Sequence, residues 1–268
     1  MKPDLIIGHN LYLSFMQYNI KRLSGFTLGA TDGEIGKVEE FYFDDETWTV
    51  RYLVVKTGGW LSGRKVLIAP AALQEPDWEN EILPVNLTKG QIESSPEIDT
   101  DKTVSRQQEI ELYDHYSWPY YAAGGTGFYG GIGMTGMMDS RVPLEDIIKE
   151  HHAARKSNDP HLRSTAEISG YDIHATDGEI GEVDDFIIDS NNWGLNFLVV
   201  DTGNWFPGKK VVLPTEWITN IKWEDSSIHL DLPVDAVKNS PEYNPSIPVE
   251  GIYKEELYAY YGKPLERK

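Results

Sequence analysis

Apolar positions along this chain come in short runs, broken about every 8–12 residues by turn formers, the spacing of a small all-β unit. Gly25-Phe26-Thr27-Leu28 reads as a strand ending at Asp32-Gly33, a tight-turn pair in which glycine supplies the positive φ. From Glu34 to Asp44, Ile35, Val38, Phe41 and Phe43 alternate imperfectly with acids, which predicts a long strand with a bulge. Trp48–Thr57 carries the run Tyr52-Leu53-Val54-Val55 of a buried strand, and Lys65–Ile68 and Glu81–Val85 read as two more. Later in the chain the same reading predicts strands at 170–175, 179–189, 194–202, 209–213, 218–223 and 228–232.

The second set copies the first. Ala30-Thr31-Asp32-Gly33-Glu34-Ile35-Gly36 recurs as Ala175-Thr176-Asp177-Gly178-Glu179-Ile180-Gly181, an offset of 145 residues. Under that shift Trp48 meets Trp193, Leu53-Val54-Val55 meets Leu198-Val199-Val200, and Ser95-Pro96-Glu97 meets Ser240-Pro241-Glu242. Roughly half of the positions from Ser24 to Val66 are identical, so one structural unit is built twice. Each unit continues into an extended, proline-containing segment and a helix. In the first, Ser105 and Gln108 have capping-box spacing ahead of Ile110, Leu112, Tyr113 and Tyr116; the second ends Leu257-Tyr258-Ala259-Tyr260-Tyr261. Between the units, Trp118–Asp139 is rich in glycine and methionine, and Pro143 opens a short amphipathic helix with Leu144, Ile147 and Ile148. The expected organisation is an N-terminal segment 1–20 packed on the first unit, a first unit 21–117, a linker with its helix 118–162, and a second unit 163–268. A two-fold pseudo-dimer of the units is the expected arrangement.

Composition narrows the chemistry. The 268 residues carry 24 basic against 43 acidic side chains, a net charge of −19, which repels phosphate backbones and excludes non-specific nucleic-acid binding. With no cysteine there are no disulfides, thiolate metal sites or cysteine nucleophiles. No apolar run approaches the roughly 20 residues of a membrane helix. The start, Met1-Lys2-Pro3-Asp4, lacks a signal-peptide pattern, and a cytoplasmic location is expected.

Candidate chemical motifs all have structural readings. The duplicated Asp-Gly-Glu-Ile-Gly reads as a hairpin corner: Asp32 and Asp177 accept from turn amides, Gly33 and Gly178 supply turn geometry, and Gly36 and Gly181 allow a bulge or close packing. Gly131-Ile132-Gly133-Met134-Thr135-Gly136 matches a dinucleotide fingerprint but lacks the βαβ context and the following acid. Asp146, Glu150, His151 and His152 do not reach metal-ligand spacing, and the acidic turns Asp44-Asp45-Glu46 and Asp184-Asp185 lack the glycine and spaced oxygens of a calcium loop. Trp48, Trp60, Trp193 and Trp205 read as strand starts and turn caps. Asn86-Leu87-Thr88 has glycosylation spacing without a secretion signal. No catalytic, cofactor-binding or metal-ligating residue is assigned.

The repeated Ala-Thr-Asp-Gly-Glu-Ile-Gly-x-Val-x-x-Phe, the following Trp, Leu-Val-Val and Thr-Gly-x-Trp, and Lys65-Val66-Leu67-Ile68-Ala69-Pro70 with Lys210-Val211-Val212-Leu213-Pro214 resemble the PRC-barrel family. The resemblance covers both units. It implies two small PRC-type β-barrels in tandem, related to the cytoplasmic part of the photosynthetic reaction-centre H subunit and similar to a domain of a ribosome-maturation factor, both docking modules without catalytic residues. The expected function is therefore non-catalytic: a protein–protein interaction or assembly module, with a protein partner, a second copy of itself included, and without cofactor. The alternatives are a small-molecule or metal-ion site at the seam between the barrels, or a peripheral place in a photosynthetic or other membrane complex.

Overall fold

The computed structural model describes residues 17–58, 63–96, 112, 115–118, 162–203, 209–247, 249 and 251–264. The first unit runs β1 (Gln17–Asn19), α1 (Ile20–Leu23), β2 (Thr27–Ala30), β3 (Gly33–Asp44), β4 (Thr49–Thr57), β5 (Lys65–Ile68), β6 (Ile82–Pro84) and α2 (Lys89–Glu93). The second runs β7 (Leu162–Ser164), α3 (Thr165–Ile168), β8 (Asp172–His174), β9 (Glu179–Asp189), β10 (Leu195–Asp201), β11 (Lys210–Pro214), β12 (Ile218–Lys222), β13 (Ser227–Leu230), α4 (Val234–Lys238) and α5 (Ile252–Tyr260). The strands expected from the apolar runs lie within a residue or two of these. The bulge expected in the long strand is present: its register against β4 slips between Val38 and Glu40 and again between Tyr42 and Phe43.

The two sheets have the same internal order, β5-β4-β3-β2-β6 and β11-β10-β9-β8-β13, to which the second adds β12. In each, the hairpin after the duplicated motif is antiparallel, and the last strand returns parallel to the first, β6 beside β2 and β13 beside β8. A close approach fixes the corner. A Cβ on Gly36 would meet the Lys56 carbonyl and stand 3.0 Å from Thr57 Cα; one on Gly181 would meet the Asp201 carbonyl and stand 2.9 Å from Thr202 Cα. Glycine is required there by space, and at Gly181 also by a φ of +151°.

Asp32 and Asp177 differ from the expectation. Each reaches over its turn and accepts from a helix-start amide: Lys89 N gives 2.7 Å to Asp32 and Val234 N gives 2.7 Å to Asp177. They thereby satisfy orphan donors of α2 and α4. Of the two turn glycines only Gly33 has a positive φ, +127°. At the far end of these helices Arg64 donates to the carbonyls of Glu93 (2.9 Å) and Ser95, and Lys209 at the matching position donates to Lys238 O (2.7 Å) and Ser240 O (2.9 Å). α2 itself starts with a capping box of Thr88 and Gln91. The expected box at Ser105 and Gln108, the linker glycines and the helix after Pro143 lie outside the described residues; Leu112, His115 and Tyr116 of the first tail are helical, and α5 is the second tail helix.

The N-terminal strand makes a backbone contact that the apolar pattern does not announce. Gln17–Asn19 does not pair within its own unit: it runs antiparallel to Ile187–Asp189 of β9 in the second. Leu162–Ser164, at the matching position, runs antiparallel to Tyr42–Asp44 of β3 in the first. The units exchange strands reciprocally. At the centre of the contact Thr49 bridges Gly194, its own counterpart under the repeat, with Val50 N donating to Trp193 O (2.8 Å) and Leu195 N to Trp48 O (2.7 Å). Pairing of matching positions is the signature of a two-fold. Trp48 and Trp193 both take positive φ there, 52° and 59°. One apolar cluster runs through both units, from Phe41, Phe43 and Tyr52 to Phe186 and Leu198, all completely buried.

Candidate functional site at the seam

Beside the exchanged strands the units flank a shallow, open slot of about 310 Å³. Asp45 and Trp48, from the β3–β4 turn of the first unit, form one wall; Ile218, Thr219, Asn220 and Ile221 of β12 form the other, with Trp223 at the end. Asp44 makes the turn by accepting from Glu46 N (3.1 Å) and Thr47 N (2.9 Å), and an ion pair with buried Arg51 at 3.7 Å faces it inward. That leaves Asp45 to take Arg163 of the exchanged strand β7 at 2.9 Å. The same guanidinium lies 4.4 Å from the centre of the Trp223 ring, so one side chain ties the turn, β7 and the end of the slot together. Trp48 is half-buried and stacks on Phe43.

The opposite exchange is held by acids. Asp185, buried, accepts from Asn19 Nδ2 (3.0 Å), Lys21 N (3.1 Å) and Phe186 N (2.8 Å). Burial pushes its carboxyl above the usual range, against the pull of those donors. Burial also raises neighbouring Asp184, but the Lys21 and Lys210 ammoniums at 2.8 and 2.7 Å outweigh it and hold this carboxyl low. At the positions matching Asn19 and Asp185, Ser164 donates to Glu40. Tyr18 sits against Trp78 at 5.0 Å, as Arg163 sits against Trp223 in the other half.

The remaining candidates scatter. Asp32 and Asp177 are at helix starts, and Asp184 and Asp185 serve the exchange. Gly131–Gly136, His151, His152, Trp60 and Trp205 fall outside the described residues. His174 and His229, register partners of β8 and β13, stack at 5.1 Å with 16° between ring planes. Among the described residues no group of three or more His, Asp or Glu is arranged to hold a metal ion, and no helix is long and apolar enough to cross a membrane. Sequence reasoning passed over Arg163, Trp223 and Asp45 as a set. The available signal was the repeat itself, which puts Trp78 and Trp223 at matching positions.

Two copies of a small strand-rich unit, each built around an Asp-Gly corner and a long bulged strand, define a tandem β-domain protein. A model of the PRC-barrel domain matches residues 17–92 and 161–237, more than half of the chain, and the protein belongs to that family. Both matches begin at or just before the exchanged strand. No curated protein matches the chain.

Proposed function

We propose that this chain is a non-catalytic assembly module, a covalently fused PRC-barrel pair that docks another protein. The observation that carries the reading is the reciprocal exchange: the long strand of each unit accepts an extended segment contributed by the other, with side-chain clasps at Asp185 and Glu40. Strand addition of this kind is a general mode of protein recognition, in which main-chain bonds supply affinity and alternate side chains supply specificity. The interlocked core gives a rigid platform, and the charge of −19 favours a basic partner over nucleic acid or anionic membrane. Gentle extraction from the native cell, followed by gel filtration and quantitative mass spectrometry, tests this. A reproducible complex of fixed stoichiometry with a second protein is the expected result; elution only as the free 30.4 kDa chain or its homo-oligomers refutes it.

A second reading has one observation in its favour, the slot between Trp48 and Trp223, whose volume is at the lower end for small-molecule sites. Thermal-shift screening against metal ions and metabolite classes separates the two: a large, saturable shift with one compound class supports a ligand site.

A further inference from the structure

We propose that the outer edge of β12 is a docking site for an extended, basic peptide segment of a partner protein, added as a further strand along the seam slot. The inference rests on the docking reading above and gives it a place and a chemistry.

β12 ends the sheet path of the second unit: it pairs with β13 on one side, and among the described residues no strand pairs with its other side. Four consecutive residues of this strand, Ile218 to Ile221, form one wall of the slot. The slot is therefore flanked by edge backbone, and an edge with unpaired amides and carbonyls is a template for another strand. It is continuous with the exchange interface, because the facing Asp45 holds Arg163 of β7 and the neighbouring Trp48 carbonyl accepts from Leu195. The molecule already solves the same problem twice with three-residue strands.

The repeat shows that the edge is specific to the second unit. Leu73–Asp77 matches Ile218–Lys222 but makes only isolated bridges, at Leu73 and Asp77. There the amides of Gln74 and Asp77 turn inward to Pro84 O (2.9 Å) and Ile82 O (2.8 Å), and Pro76 occupies the outward position, where it removes a donor. The matching outward amide in β12 belongs to Ile221. One unit has closed this edge with proline and the other keeps it able to pair.

Charge selects the occupant. Exposed Glu224 and Asp225 follow Trp223 at one end of the slot, Glu46 follows Asp45 in its wall, and the whole chain stands at −19. Lys222 and Arg163 offset part of this, and the balance remains acidic. A lysine or arginine of an added strand would meet the acids, and an aliphatic residue two places along would lie on Trp48. A second copy of this chain is disfavoured by the same charge.

The test uses the full-length chain and a displayed library of random linear 12-residue peptides. Enriched peptides are expected to be basic and to slow amide hydrogen exchange at Thr219–Lys222. Asn220→Lys, at an exposed position, should weaken binding at least tenfold with melting unchanged; Ile221→Pro, which copies the first unit, should weaken it as much with a lowered melting temperature, because Ile221 packs against the core. Peptides that bind both variants as well as wild type, or that leave exchange in β12 unaltered, would overturn the site. So would failure to enrich any peptide, or protection of β12 that arises from raising the concentration of the chain alone. A native complex that survives Ile221→Pro intact would leave the docking function standing and remove it from this edge, whereas absence of any native complex would remove the function itself.

Discussion

Gly36 and Gly181 offer an internal comparison, because one substitution can be made at the same corner of both units. In Gly36→Ala the new methyl meets the Lys56 carbonyl of the neighbouring strand; in Gly181→Ala it meets the Asp201 carbonyl. The obstacle in each case is sheet backbone, which cannot swing aside as a long side chain would. Forcing a methyl into such a space costs about 1–3 kcal/mol. Gly181 bears a second penalty, since its φ of +151° is a region that L side chains rarely adopt, and strain of that kind adds about 1–3 kcal/mol. Stiffening the unfolded chain returns about 0.4–1 kcal/mol in both variants. At the midpoints of these ranges Gly36→Ala should lose roughly 1.3 kcal/mol and Gly181→Ala roughly 3.3. At about 2–4 °C per kcal/mol, the second melts several degrees below the first. Urea unfolding followed by circular dichroism gives both numbers. Because one core spans the units, a single transition is expected in each variant. If either substitution cost less than about 0.5 kcal/mol, or if Gly36→Ala were the more damaging, the duplicated motif would not be the packed corner described here.

Other expectations follow from the seam and the tails. Asp185→Ala strands the Lys21 amide and the Asn19 side chain and should destabilise by about 1–3 kcal/mol, with faster hydrogen exchange concentrated in residues 17–21; uniform or absent change would contradict the clasp. Arg163→Ala removes the Asp45 ion pair and the contact with Trp223 together, an expected loss of about 1–2 kcal/mol in thermal unfolding, whereas Lys at that position should restore little because it cannot stack as the planar guanidinium does. Burial pushes the phenols of Tyr116 and Tyr253 up to about 12. A raised folded-state pKa means that the native chain holds these protons while the unfolded chain gives them up. Stability from this source is intact below the ordinary value of 10.0 and is lost as pH rises toward 12. Absorbance titration at alkaline pH should show a late tyrosine step coincident with loss of ellipticity, and Tyr116→Phe should delay unfolding in that window.

Most strands were legible because burial imposes a pattern on them: Ile35, Val38 and Phe41 mark the buried face of β3 and the run Tyr52–Val55 reports two-sided burial, whereas the burial of all four residues from Phe41 to Asp44, where β7 pairs, did not show in the alternation. The repeat disclosed the duplication, and Asp32-Gly33 disclosed the corner. What Asp32 and Asp177 bind was not legible, since their partners stand 57 residues away at helices too short to show a 3.6-residue period. Strand exchange was equally hidden. Gln17–Asn19 spans three residues, too few for any alternation to register, and its side-chain clasp on Asp185 crosses 166 positions. The slot depends on this exchange, because Arg163 reaches Asp45 only when β7 lies on the other unit. A family resemblance fixed the unit but not the surface between two units, which is where the candidate site lies.

Two PRC-barrel units interlocked by traded strands should stay together as a pair when the chain is divided between Gly130 and Gly131. Co-expressed halves should copurify as a 1:1 heterodimer with exchange-protected amides in Gln17–Asn19 and Leu162–Ser164, and either half alone should self-associate or lose solubility. Two halves that each remain folded, monomeric and indifferent to one another would contradict it.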